Sequence, residues 1–537
     1  MMKNSLKKLK KYLNCEMKVI IPMSGMSSRF SRSGYHLPKY LLNVDGKTVI
    51  QHIVELYPKD SEFIFIMNDK NATETNILDV IERFNLPNSQ TKVIPSHKLG
   101  PVYTVSHVFD WIDDEEQVVV NYCDFSIYWN YQKFEEFIND TQCDGCVVCY
   151  TGFHPHMLGN DNYAFCKTDK SNKILEVREK QPFTNNKMNE FASAGNYYFR
   201  KGKYIKQYFR QMMDVDSNLN GEYYVSLIYN FLIKDGLSSL VYEVPKMLQW
   251  GTPLDLDMYL KWSEYYKKSL IGQKTSTLYN CVTALPMAGA GSRFAKEGYT
   301  ESKPFIQVNG KNMFEQAVRC LPKTDRTIYA CLGDQKAPHS VGGEVLWIDE
   351  VLEGQACTTE RILDYIPSDK SILISACDNG MFYDSDKFLK LVEDEDNDVI
   401  VWTYTNNYTS YRNPEMYSWV LSDDKNNIEK INVKKFFGGN PIEQFAVVGT
   451  FFFRNKEVYL NSLQKMYEDM GRVNNEYYID SLVNYSIDLG YKVKNFEIDE
   501  YICWGTPNDL KTYQYWQNFF NQVNWHDYSY DKDYFTN

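Results

Sequence analysis

No apolar stretch in this chain approaches the roughly 20 residues that a membrane helix needs, so no helix spanning a bilayer is expected. The first 16 residues are basic but lack the apolar segment of a secretory leader, and the expected location is the cytoplasm. Positive charge is also in deficit: 58 Lys and Arg stand against 70 Asp and Glu, a net charge of −12. That balance argues against nucleic acid or an anionic membrane as the main partner. Any polyanion is expected to be small and held in a local positive pocket. Twelve cysteines in 537 residues do not suggest a disulfide framework. Cys143, Cys146 and Cys149 have a spacing that could suit a metal. They lie in DGCVVCYTG, however, which reads as a buried strand with Cys146 and Cys149 on opposite faces.

What the chain does have is a duplication. Met17 to Tyr40, MKVIIPMSGMSSRFSRSGYHLPKY, matches the stretch around LPMAGAGSRFAKEGYTESK without a gap. Pro22 pairs with Pro286, Gly25 with Gly289, Arg29 with Arg293 and Lys39 with Lys303, each 264 positions apart. Beyond Lys47 the offset becomes 254 and then holds. Gly100 pairs with Gly354, Asp124 with Asp378, Lys180 with Lys434, Gly195 with Gly449 and Glu222 with Glu476. Trp250-Gly251-Thr252-Pro253 pairs with Trp504-Gly505-Thr506-Pro507 at the same offset. The second copy is therefore ten residues shorter, the loss falling between Lys47 and Gly100.

Two domains of about 260 residues fit domain-size expectations. The expected parts are an N-terminal extension over 1–16, a first domain over 17–274, a second over 275–515 and an aromatic, acidic tail over 516–537. Glu62 to Met67, Gln117 to Tyr122 and Ser371 to Ala376 are short apolar runs that alternate with helical segments. That alternation predicts α/β domains whose sheets are mixed and mostly parallel, covered on both faces. Ligands of such sheets collect at the carboxyl ends of strands, which is where the loops after Pro22 and Pro286 and the residues Asp124 and Asp378 fall.

The chemistry follows from residue types. A turn holding Gly25, Ser27 and Ser28, or Gly289, Gly291 and Ser292, can bring backbone N–H groups against an anion, and a helix opening there adds a favourable field. Arg29 and Arg293 supply planar forks for phosphate oxygens, and Lys39 and Lys303 a second positive point. A lone carboxylate at a strand end, Asp124 or Asp378, suits Mg²⁺, which prefers one or two carboxylates plus phosphate oxygens and water. Lys180 or Lys434 would hold a second phosphate.

On these motifs both halves resemble the sugar-phosphate nucleotidyltransferase family, whose signature is a G-x-G-[ST]-R loop followed by a Pro-Lys or Lys-Pro pair. The second copy has GAGSRF with Lys303-Pro304; the first has GMSSRF with Pro38-Lys39. The resemblance covers nearly all of residues 17 to 515, and is similar in particular to the bacterial capsule and surface-glycan cytidylyl- and guanylyl-transferases. It implies two tandem Rossmann-like domains and an Mg²⁺-dependent transfer of a nucleoside monophosphate from CTP, GTP or UTP to a sugar phosphate or other small phosphomonoester. It also implies that the Gly100 and Gly354 turns contact the base, that VREKQP around Lys180 holds the acceptor phosphate, and that Glu222 and Glu476 face the substrate.

The copies depart from the pattern in different places. Ser27 stands where the second loop has Gly291, and Val433-Lys434 where the first has Glu179-Lys180. Gln249 and Cys503 occupy the position before the Gly-Thr-Pro turn at which many relatives carry a second metal-binding Asp. Two other readings stand beside two working sites. One copy could bind or regulate without turnover, the first being the candidate because of Ser27. A glycosyltransferase of related fold would need a paired Asp-x-Asp, which Asp124-Phe125-Ser126 and Asp378-Asn379-Gly380 do not offer.

Overall fold

The strand Glu62–Asn68 shows how the sheets are built: every residue after the first is buried, so both faces must be covered by other elements. The computed structural model describes residues 17–333, 338 and 342–536; the extension expected over 1–16 lies outside the described residues. The chain divides into two compact units between Lys261 and Trp262. This division falls inside the helix Pro253–Ser269, upstream of the polar segment at 269–278.

In the first unit the sheet runs Ile174–Glu179, Ala164–Thr168, Phe191–Phe199, Val118–Asn121, Lys18–Met23, Glu62–Asn68, Ser89–Ile94. Gly145–Tyr150, the strand that carries Cys146 and Cys149, pairs with Phe191–Phe199 and bears Ser239–Glu243 on its other side. Lys18–Met23 lies between two parallel neighbours, and Phe191–Phe199 runs antiparallel to Val118–Asn121. The second unit has the same order, with Thr277–Pro286 flanked in parallel by Lys323–Leu332 and Ser371–Ser375 and with Phe445–Phe453 antiparallel. Both units are therefore Rossmann-like α/β folds on mixed sheets. Each has its own apolar core, the first around Ile20, Ile64, Val120 and Phe199 and the second around Ala284, Ile328, Ile374 and Phe453.

Register locates the ten-residue difference. Ile64 pairs with Gln90 in the first unit, and its counterpart Ile328 pairs with Glu344 in the second. The offset thus changes between these neighbouring strands, which in the first unit are joined through the helices Asp69–Glu74 and Ile77–Arg83. A surface connection can lose such a segment without touching the sheet. Downstream of the glycine loops, Asp45-Gly46 and Asn309-Gly310 take positive φ at both positions, as a type I′ hairpin turn requires.

The aromatic tail packs within the second unit. Gln517, on the helix Pro507–Gln522, donates to Asp533 at 3.0 Å, and Tyr528 donates to the same carboxylate at 2.5 Å. Phe535 is fully buried, and its carbonyl accepts from the Gln316 side chain at 2.6 Å. Among the described residues no helix is long and apolar enough to cross a membrane.

Candidate active site

The loop after Lys18–Met23 turns through Ser27, whose φ of 48° lies in the left-handed region. Gly291 holds the same place in the second unit at φ 58°. The position needs positive φ in both copies, which costs a non-glycine residue roughly 1–2 kcal/mol. Ser27 offsets part of that cost by accepting a hydrogen bond from the Lys39 backbone N–H at 3.2 Å. The serine thus ties the loop to its lysine instead of blocking the turn. The helix that opens here has only five residues in each unit. Its dipole is correspondingly small, so an anion at this loop would rely on the local N–H groups and side-chain cations.

Gly25 and Gly289 are not required by the backbone or by crowding. Neither takes positive φ, and an added Cβ would meet nothing within 4 Å at either position. Arg29 and Arg293 are exposed beside these bare loops and make no ion pair among the described residues.

The lysine and the strand-end aspartate meet in both units. Lys39 Nζ donates to Asp124 Oδ2 at 2.6 Å, and Lys303 Nζ donates to Asp378 Oδ2 at 2.5 Å. Burial opposes the charge on each lysine, but the facing carboxylate outweighs it and holds the ammonium above its ordinary value. The Trp-Gly-Thr-Pro turn is fastened to the same aspartates. Trp250 N–H donates to the Asp124 carbonyl at 3.1 Å and Trp504 N–H to the Asp378 carbonyl at 2.8 Å. The next residue can only be small: a Cβ on Gly251 would lie 2.8 Å from Asp124 Oδ2, and one on Gly505 would lie 2.6 Å from Asp378 Oδ2.

Gly100 and Gly354 also have a steric reason to be glycine. Their φ values are 84° and 119°, and a Cβ would approach the backbone of Tyr223 or Tyr477 within 2.9 Å. These contacts are where the turn and the Glu-Tyr-Tyr segment exchange hydrogen bonds. Tyr223 N–H donates to the Leu99 carbonyl at 2.9 Å, and Val102 N–H donates to the Tyr223 carbonyl at 3.2 Å.

In the first unit one cleft of about 370 Å³ gathers every predicted residue but Gly25: Ser27, Ser28, Arg29, Lys39, Gly100, Asp124, Lys180 and Glu222 all line it. Lys180 Nζ donates to the Tyr224 hydroxyl at 2.6 Å, and that hydroxyl donates in turn to Glu222. The second unit differs here, because Lys434 donates to the Met416 carbonyl instead. Burial lowers Lys434 below an ordinary lysine, with Asp480 opposing the shift and Arg293 adding to it. Lys180 and Lys434 both take positive φ, 58° and 53°. A long side chain held there in two units is a local strain of the kind that collects at functional sites. No local sequence signal marks it.

Two more cleft residues stand out: His97, which no sequence motif marks, and Glu179, which the sequence sets before Lys180 with no role of its own. His97 Nδ1 accepts from the Leu99 N–H at 3.1 Å, which leaves the Nε2 proton to face Ser24 Oγ and Thr104 Oγ1, both at 3.1 Å. Burial and the nearby His107 lower its pKa and favour the neutral ring. The corresponding positions of the second unit are Ala288, Val351 and Thr358, so this link between the loop and the Gly100 turn belongs to the first unit alone. The second residue is Glu179. Burial pushes it up to about 7, against the hydrogen bond from Ser226 and the charge of Lys180. An acid that ionises less readily folded than unfolded favours the native state at low pH. Its contribution is complete below about 4.5 and is lost as the pH rises through about 7. Urea midpoints measured across that window should therefore fall less steeply in Glu179→Gln than in the wild type.

Tyr122 and Tyr163 line the cleft as well. Trp129 does not line it and is packed against Tyr57, Tyr131 and Phe134, with its indole N–H on the Leu56 carbonyl.

No protein-family model matches the chain, and no curated protein sequence matches it. Among solved structures it is similar to a nucleoside-diphosphate-sugar pyrophosphorylase from Vibrio cholerae RC9, at 23% identity over 45% of this chain and 99% of that one, with a TM-score of 0.38. It is similar also to the inositol-1-phosphate CTP transferase from T. maritima, at 20% identity over 47% of this chain and 99% of that one, with a TM-score of 0.35. A UDP-glucose pyrophosphorylase complexed with UDP-glucose matches at 16% identity over 47% of this chain and 99% of that one, with a TM-score of 0.38.

Proposed function

We propose that the chain is a nucleotidyltransferase in which each unit moves a nucleoside monophosphate from an NTP to a small phosphomonoester and releases pyrophosphate. The observation that carries this reading is a cluster formed twice. In each unit an exposed arginine with no ion pair among the described residues stands beside a loop whose first glycine, Gly25 or Gly289, the backbone does not require, next to a lysine ion-paired with the strand-end aspartate. Bare backbone and an exposed arginine together suit a triphosphate.

The residues also fit Mg²⁺. Lysine occupies only Oδ2 of Asp124 and Asp378, and Oδ1 accepts no hydrogen bond from the described residues. Among those residues there is no group of three or more His, Cys, Asp or Glu side chains, so a bound ion would complete its shell with phosphate oxygens and water. When bound, Mg²⁺ supplies neutralisation of the triphosphate charge. The chain's own part is alignment. Arg29 or Arg293 with Lys39 or Lys303 would grip the triphosphate, while Lys180 or Lys434 would bring the acceptor phosphate in line. That phosphate has a second pKa of about 6 and is already a nucleophile at neutral pH, so no general base is needed.

On this reading the functional units follow the sequence repeat, 17–274 and 275–515, with 516–537 appended to the second. The nucleotide is CTP, GTP or UTP, the acceptor a sugar phosphate or similar monoester, and the product an activated precursor for a surface glycan made in the cytoplasm. The full chain incubated with each of the four NTPs and a set of phosphomonoesters should release pyrophosphate with at least one pair. Complete silence across the panel would overturn the proposal. A sharper geometric test is Gly505→Ala. Its Cβ must displace the Asp378 carboxylate, so pyrophosphate release from the second unit should fall roughly 10²-fold, as expected when a reacting group moves by about 1 Å.

A further inference from the structure

Three positions meet beside the second lysine of each unit. In the first they are Ala164, its antiparallel partner Glu179, and Ser226 on the helix Val225–Lys234 that packs over that strand. At the constant offset of 254 they become Ser418, Val433 and Asp480. The frame is the same: Trp419 pairs with Asn432, so Ser418 and Val433 are next in line, and the helix Ile479–Asp488 packs on the strand Ile428–Asn432. Each trio holds one apolar residue, one acid and one serine, but the acid moves from strand to helix and the serine from helix to strand. The serine follows the acid. Ser226 Oγ donates to Glu179 Oε2 at 2.6 Å, and Ser418 Oγ donates to Asp480 Oδ2 at 2.6 Å.

Packing alone gives no reason for this exchange. A buried carboxylate costs desolvation free energy, and replacing it by an apolar residue of similar volume is often neutral or stabilising. Val433 removes the acid from the strand, and an acid reappears on the helix with a serine placed to satisfy it. Its surroundings carry the site's charges: Lys434 acts on Asp480 as Lys180 does on Glu179, and Lys434 in turn feels Arg293 and Asp378. A carboxylate is thus kept beside Lys180 and beside Lys434, supplied from a different element in each unit.

We propose that Asp480 orients the acceptor in the second unit by accepting a hydrogen bond from a hydroxyl or ammonium group of the phosphomonoester held by Lys434. Entering from the helix with a side chain one methylene shorter than Glu179, it gives the two units different acceptor preferences. This inference rests on the nucleotidyltransferase reading above.

The test uses the full chain carrying Arg29→Ala, so that turnover reports the second site. Adding Asp480→Asn should raise the KM for the acceptor at least fivefold and leave the KM for the NTP unchanged. Installing the first unit's trio, Ser418→Ala with Val433→Glu and Asp480→Ser, should shift acceptor ranking toward that of the Arg293→Ala chain, and this variant serves if Asp480→Asn does not fold. A smaller rise in acceptor KM, an equal rise in both KM values, or the same acceptor ranking in the two single-site chains would overturn the inference. So would silence of the Arg29→Ala chain when the wild type is active. Silence of the wild type itself would instead overturn the activity on which the inference rests.

Discussion

Replacing Arg293 by alanine should cut pyrophosphate release from the second unit about 10²–10³-fold, the usual loss when one fixed charge-stabilising group is removed. Arg293 makes no ion pair among the described residues and is exposed, so the substitution leaves no buried charge behind and should barely move the denaturation midpoint. Arg29→Ala is the matching experiment for the first unit. If both sites work, each single variant keeps part of the total rate and the double variant loses nearly all of it. Abolition by one substitution alone would mean one working site. Ser27 does not by itself disable the first loop, because it holds the same left-handed turn as Gly291. Unchanged release in the double variant would remove the arginines from the chemistry.

Gly354→Ala should act on stability instead. Its φ of 119° is unfavourable for alanine, and the new Cβ would sit 2.6 Å from the Tyr477 carbonyl oxygen and 2.8 Å from its nitrogen. Those are backbone atoms and cannot rotate aside. They are also hydrogen-bonded, Ala356 N–H to the Tyr477 carbonyl at 3.1 Å and Tyr477 N–H to the Glu353 carbonyl at 2.7 Å. Strain and two weakened bonds together cost about 3–5 kcal/mol. At roughly 2–4 °C per kcal/mol for a unit of this size, the second unit should melt about 10 °C lower. Gly289→Ala provides the contrast. Its Cβ enters open space, so calorimetry should show almost no shift while NTP binding weakens. A large Tm loss in Gly289→Ala, or none in Gly354→Ala, would contradict this division between ligand-driven and fold-driven glycines.

The duplication, the order of elements and the loops that carry the charged residues could all be read along the chain. Each rests on neighbours in sequence: apolar runs such as EFIFIM mark strands buried on both faces, and one offset through Asp124, Lys180 and Trp250 marks a second copy. The grip of Lys39 on Asp124 joins residues 85 positions apart, and that of Lys303 on Asp378 residues 75 apart. Only the sheet brings them together. The left-handed backbone at Lys180 and Lys434, the His97 link to Ser24, and the exchange of acid and serine between strand and helix likewise carry no local signature. Side-chain periodicity reports burial, whereas the partner a buried polar group finds is set by which strands and helices pack beside it.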